Sequence, residues 1–146
     1  NRIMAIRFSI ETKYSLKSRT LIKQWIKTVV ENKGKKLGDV SYILCDDDYL
    51  LEVNRQYLKH DYYTDIITFD YTENDRIGGD LFISIDRVKD NATALQVPEH
   101  EELMRVMIHG VLHLLGLKDK SEEEVKQMRK AEEECLELLK KMSKQD

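Results

Sequence analysis

A chain of 146 residues, 41% apolar and 35% charged, can bury about two-thirds of its unfolded surface in one core without disulfide or metal staples. Its 24 basic and 27 acidic residues leave a net charge of −3, which speaks against a strongly basic nucleic-acid module but leaves room for a local basic patch. No stretch reaches the roughly 20 apolar residues of a membrane span, and "NRIMAIRFSI" lacks the long apolar core of a secretory signal. Cys45 and Cys135 are far apart and form no C-x-x-C, which fits a reduced, cytoplasmic protein with two bystander thiols. The whole chain, 1–146, is expected to form a single domain with no membrane partner, and its single proline predicts regular elements and short loops.

"MAIRFSIE" alternates as a first strand, with Ile6, Phe8 and Ile10 on one face. From Ser15 a helix is predicted, with Leu21, Ile22, Trp25, Ile26 and Val29 at helical spacing and Gly34 as its stop. "GDVSYILCD" is a second strand, and "DDDYLLEVNRQYL" a helix whose N-terminus favours the acidic Asp46 to Asp48. "TDIITFDY" reads as a third strand, "TENDRIGG" as a turn and "DLFISI" as a fourth strand. "DRVKDNATAL" is a short helix, and Pro98 opens the next one, "EHEELMRVMIHGVLHLLG". That helix is apolar nearly all round over 103–116 and is expected to be the buried central one. The last helix starts at a capping box formed by Ser121 and Glu124. The expected fold is α+β: a small mixed four-stranded sheet packed with about five helices, the central one carrying a metal site in the manner of a zincin.

That helix contains His109 and His113, four residues apart. Such positions differ by about 40° around the axis and roughly 6 Å along it, so both imidazoles can converge on one atom. Two neutral imidazoles from one helical turn suit tetrahedral zinc. Two core histidines donating to carbonyls would produce the same spacing. Gly116 is a natural left-handed helix terminator, and a chain reversing there could return Asp119 to the two imidazoles. Two histidines, one carboxylate and an open fourth position describe a catalytic rather than a structural zinc site. Asp119 could instead cap the last helix, although Ser121 offers the better cap. Gly110 occupies the place where H-E-x-x-H proteases hold their general base, so that protease mechanism lacks its base.

"HGVLHLLGLKD" resembles the H-G-x-x-H-L-x-G-x-x-H motif of the YbeY endoribonucleases, also described as rRNA maturation factors, at His109, Gly110, His113, Leu114 and Gly116. Asp119 stands where that family has a third histidine. Upstream, "NRQYLKHDYYTDIITF" is similar to the family's N-x-x-Y-R-x-x-D-x-P-T-D-V-L-S-F at Asn54, Tyr57, Asp61, Thr64, Asp65 and Phe69. Tyr63 replaces the proline, and Leu58 replaces an arginine implicated in function. "GDLFIS" and the tail Glu124, Met128 and Glu132 complete four blocks in the family's order over residues 45 to 136.

The resemblance implies a zinc-dependent, single-strand-specific RNA hydrolase acting in rRNA processing and ribosome quality control. One zinc ion per chain would be held by His109, His113 and Asp119 and would activate water against a phosphodiester. Partners would be single-stranded RNA, above all rRNA, with a ribosomal protein or the ribosome as further candidates. Zinc is preferred over nickel or iron on ligand type and geometry.

No general base is obvious. Asp65 and Asp80 qualify only because they flank strands. With Leu58 removing one cation, Lys59, Arg105, Lys118 and Lys120 are candidates to offset phosphate charge, and Lys33 to Lys36 could track a phosphate backbone. Tyr57, Tyr62 and Tyr63 could stack unpaired bases. The glutamate runs 122–124 and 132–134 should face away from RNA. Two other classes fit the same residues: a ribosome assembly factor with a structural zinc, and a metallohydrolase of small or peptide substrates, which Gly110 weakens.

Overall fold

A computed structural model describes residues 6–145. Met4 and Ala5 of the expected first strand lie outside that range. The described elements run β1 (Ile6–Ile10), α1 (Arg19–Asn32), β2 (Lys36–Cys45), α2 (Asp47–Val53), a π-helical turn (Asn54–Leu58), β3 (Ile66–Asp70), β4 (Arg76–Ser84), α3 (Ile85–Leu95), α4 (Glu99–Leu114) and α5 (Glu122–Lys144). The sheet order is β1-β2-β4-β3, with β1, β2 and β4 parallel and β3 antiparallel on the β4 edge. This is the expected α+β class with a mixed four-stranded sheet. Among the described residues no helix is long and apolar enough to cross a membrane.

One sheet face is closed by helices. Val40, Tyr42 and Leu44 of β2 and Ile77, Leu81 and Ile83 of β4 join one buried cluster with Trp25 of α1 and Met107 and Val111 of α4. The polar tips buried there find backbone partners, as buried donors must. The Tyr42 hydroxyl donates to Met107 O at 2.9 Å, and the Trp25 indole N–H donates to Cys135 O at 2.8 Å. The opposite face carries a smaller cluster of Cys45, Leu50, Val53 and Ile67 beneath α2. Both cysteines are buried, which pushes the Cys45 thiol up to about 12 and the Cys135 thiol up to about 11, so both remain unreactive thiols at neutral pH.

Several boundaries differ from the pattern-based expectation, among them the second helix, which passes into a π-helical turn after Val53, and two of the differences have a plain physical reason. Helix α1 begins at Arg19, not Ser15, because Ser18 sits in a left-handed conformation (φ 60°) that a helix cannot pass through. Strand β4 begins at Arg76, so "GG" is strand rather than turn. A Cβ on Gly79 would meet Phe69 O at 2.5 Å, and the two glycines therefore serve close approach, not chain reversal. The reversal occurs at Glu73–Arg76, with Asn74 at φ 56°.

Helix α4 packs on the sheet through Gly110. A Cβ there would come within 2.9 Å of Ile66 Cδ1 and 3.1 Å of Leu81 Cδ2, so the missing side chain lets the helix sit close to β3 and β4. Ten of its 16 residues are buried, in keeping with its central position.

Candidate metal centre and its cleft

The C-terminal end of α4 determines the geometry of the cleft beside β3. After His113 the helix closes in a Schellman turn, with Leu117 N–H donating to Leu112 O at 3.0 Å and Gly116 N–H donating to His113 O at 2.9 Å. Gly116 takes φ 103°, which L side chains rarely adopt. The turn brings the Leu117 carbonyl within 3.0 Å of His113 Nδ1 and returns Asp119 to the helix. Asp119 is free to do so because Ser121 and Glu124 form the full capping box of α5.

Three acceptor atoms then meet. His109 Nε2 and His113 Nε2 lie 3.1 Å apart, and Asp119 Oδ2 lies 3.2 Å from each. His113 Nδ1 faces a carbonyl and His109 Nδ1 faces a Glu132 carboxylate oxygen at 2.6 Å, so both Nδ1 atoms carry the hydrogen. Both Nε2 atoms in the neutral imidazoles therefore present lone pairs to each other and to a carboxylate. Three acceptors at such distances repel unless a proton or a metal cation stands among them. The donor set fits a divalent ion: donors on tetrahedral zinc at 2.0–2.1 Å lie about 3.3 Å apart. His109, His113 and Asp119 could hold one.

The three residues open into a cleft of about 690 Å³, also lined by Asn54, Leu58, His60, Tyr62, Asp65 and Lys120. Its outer wall is the segment that follows α2. Buried Asn54 clamps it, donating Nδ2–H to Tyr62 O at 2.9 Å while its own carbonyl accepts from His60 N–H at 3.1 Å. Arg55 reaches Asp61 at 2.6 Å. The clamp presents Leu58 together with Tyr62, stacked on His60 with ring centroids 5.1 Å apart. Tyr62 is 55% exposed and Leu58 40%.

Of the two carboxylates considered as bases, Asp65 lines the cleft and Asp80 does not. Neighbouring residues in a strand face opposite ways, and Gly79 faces Leu114 of α4, so Asp80 points to the other side of the sheet. Burial raises the Asp65 pKa, with Arg105 and His109 pulling it down more weakly. Among the candidate cations, Lys120 is exposed and lines the cleft, whereas Lys59 and Lys118 are exposed without lining it. Lys33 and Lys36 are exposed and Lys35 half-buried, beyond the cleft. Arg105 is committed elsewhere: its guanidinium grips Glu102 at 2.6 and 2.8 Å and Glu132 at 3.1 Å, which raises its pKa.

The expectation that 132–134 faces away fails at Glu132, which is 2% exposed and bonded to His109. Burial alone would raise its pKa, but the hydrogen bond from His109 and the charge of Arg105 outweigh that and lower it. The tail pattern Glu124, Met128, Glu132 resolves into a helix cap, a buried core residue and the partner of His109. That spacing was visible in the sequence; its target was not.

Comparison with known proteins matches the chain to an enzyme class. The family model described as Endoribonuclease YbeY matches residues 6–140. Endoribonuclease YbeY of Porphyromonas gingivalis is 54% identical over 121 residues, 83% of this chain and 80% of the relative. The protein of the same name in Flavobacterium psychrophilum is 49% identical over 134 residues, 92% and 96% of the two chains. The solution structure of TM1509 from Thermotoga maritima superposes with a TM-score of 0.64 at 27% identity, covering 97% of this chain and 96% of that one. These matches define the class as a hydrolytic nuclease built on an α+β frame. The chain belongs to the endoribonuclease YbeY family.

Proposed function

We propose that this chain is a single metal-dependent hydrolase domain, a zinc endoribonuclease that cuts single-stranded RNA during rRNA processing and ribosome quality control in the cytoplasm. The observation that carries the reading is the convergence of His109 Nε2, His113 Nε2 and Asp119 Oδ2 within 3.2 Å of one another at the floor of an open cleft. Zinc supplies Lewis acidity when bound, polarising a phosphoryl oxygen and acidifying water.

The chain supplies the rest. Imidazoles locked as Nδ1–H tautomers keep two lone pairs aimed at the ion without reorganisation. The half-buried Asp65 stands on the β3 side of the cleft as the candidate to take a proton from attacking water. Lys120 at the rim offsets phosphate charge where Leu58 offers none. The exposed ring of Tyr62 gives an unpaired base a face to stack on, which a duplex cannot use because its bases are already stacked.

The test is cleavage of labelled single-stranded and duplex RNA by protein stripped of metal and then reloaded with zinc. Cutting of the single strand that disappears on stripping and returns on reloading supports the reading. A protein that binds zinc tightly and cuts neither RNA would make the ion structural and favour a ribosome assembly factor.

A further inference from the structure

Glu102 and Glu132 lie on different helices and are 1% and 2% exposed, yet they share a single guanidinium. Arg105 gives Glu102 its bidentate fork and Glu132 only one bond, to Oε1. Among the described residues the one other cation near the pair is Arg129, which is largely exposed and stands 4.0 Å from Glu132 Oε1, so Arg105 is the only closely bonded cation for two buried carboxylates. The uncommitted oxygen of Glu132, Oε2, meets His109 Nδ1 at 2.6 Å. A buried ionic chain of this kind is a poor way to join α4 to α5, since apolar residues of similar size commonly pack as well or better. Its cost is explained by what it does at its far end, where His109 Nε2 faces His113 and Asp119.

The two histidines are backed unequally. His113 leans on a neutral carbonyl, which orients the ring without adding charge. His109 leans on a carboxylate, which orients the ring and also makes its other nitrogen a stronger donor to a cation.

We infer that Glu132 is a positioning residue of the metal centre: its Oε2 holds the His109 ring with Nε2 in the cleft and strengthens it as a ligand, while Arg105 serves as the counter-ion of Glu132 rather than as a phosphate-binding cation. The inference rests on the reading of His109, His113 and Asp119 as a metal site. Glu132 touches neither substrate nor ion, and it acts through His109 alone.

The experiment measures zinc affinity by competition with a chromogenic chelator for the parent, Glu132→Gln, Glu102→Gln and His109→Ala, with the fold of each zinc-free protein followed by circular dichroism. Histidine ¹⁵N spectra of the zinc-free proteins report the tautomer. Glu132→Gln is expected to bind zinc about 10- to 100-fold more weakly and to lose the fixed Nδ1–H tautomer of His109. Glu102→Gln is expected to lower the melting temperature with little change in zinc affinity, because it leaves Glu132 on His109. Should Glu132→Gln not fold, Glu132→Gln/Arg105→Gln removes the stranded cation, and the same loss of affinity is expected. Parental affinity and tautomer in the Glu132 variants would overturn the inference while leaving the metal site standing. A parent that binds zinc no better than His109→Ala would overturn the metal site itself, and this inference with it.

Discussion

The two walls of the cleft are held by different physics. On the α4 side, His109 and His113 are only 18% and 28% exposed, and each ring is pinned through Nδ1 to a partner at 2.6 or 3.0 Å. On the opposite wall the rings of His60 and Tyr62 are exposed, and the clamp acts on the backbone beneath them through Asn54. The proposed coordination would tolerate errors of only tenths of an ångström, and rings fixed by buried partners meet that demand. Stacking on a flexible strand tolerates slack, because every base has a π-face and the gain depends on overlap more than on aim. One cleft thus joins a rigid half to an adaptable half.

Substitutions on the rigid wall should have the largest effects. Replacing both histidines, His109→Ala/His113→Ala, should abolish zinc binding and RNA cleavage together, measured by elemental analysis beside a parent carrying about one zinc per chain. Unchanged metal content would reduce the pair to core histidines and erase the contrast between the walls. Asp119→Asn should weaken zinc roughly tenfold or more, the scale on which even outer partners act. Asp119→His should retain or tighten it. Parental affinity in both variants would remove Asp119 from the site.

The adaptable wall should show smaller, substrate-only effects. Tyr62→Ala should weaken single-stranded RNA binding by about 1–3 kcal/mol without changing zinc affinity, while Tyr62→Phe retains the stack. Tyr71→Ala removes a ring that is 60% exposed but does not line the cleft, and should change nothing. Equal losses in Tyr62→Ala and Tyr71→Ala would mean that general surface, rather than the cleft wall, holds RNA.

The smallest effect, one on stability, concerns Asp65. Its folded pKa is raised, chiefly by burial, so between the unfolded and folded values the native state holds a proton that the unfolded chain has lost. Stability therefore falls as pH rises from about 4 toward the folded value, and the penalty persists at neutral pH. In the zinc-free protein Asp65→Asn should raise the melting temperature at pH 7 by a few degrees, and this gain should vanish near pH 3, where both states are protonated. If Asp65 takes the proton from water, the same variant loses turnover while keeping zinc.

Much of the cleft's α4 side was legible because its determinants are local. The 3.6-residue period puts His109 and His113 on one face, Gly116 ends the helix, and the spacing of Ser121 and Glu124 marks the cap that frees Asp119. The glycines were legible only as residues. "GG" at 78–79 reads as a turn, and only the approach of Phe69 O to Gly79 shows that a strand runs through it. Gly110 reads as a missing protease base, whereas in the fold it is the contact that lets α4 lie on β3 and β4.

By itself the sequence determined the order of the strands and helices, the paired imidazoles and the chain reversal toward Asp119. Each of these depends on backbone conformation and side-chain spacing over a few residues. Tertiary structure decided which carboxylate of Asp65 and Asp80 faces the cleft, why Arg105 is unavailable to a phosphate, and that Glu132, 23 residues from His109, ends beneath its ring. Strand pairing, burial and the identity of a charge's partner arise only when distant segments meet. A glutamate in an acidic run carries no local mark of whether it will face water or a histidine.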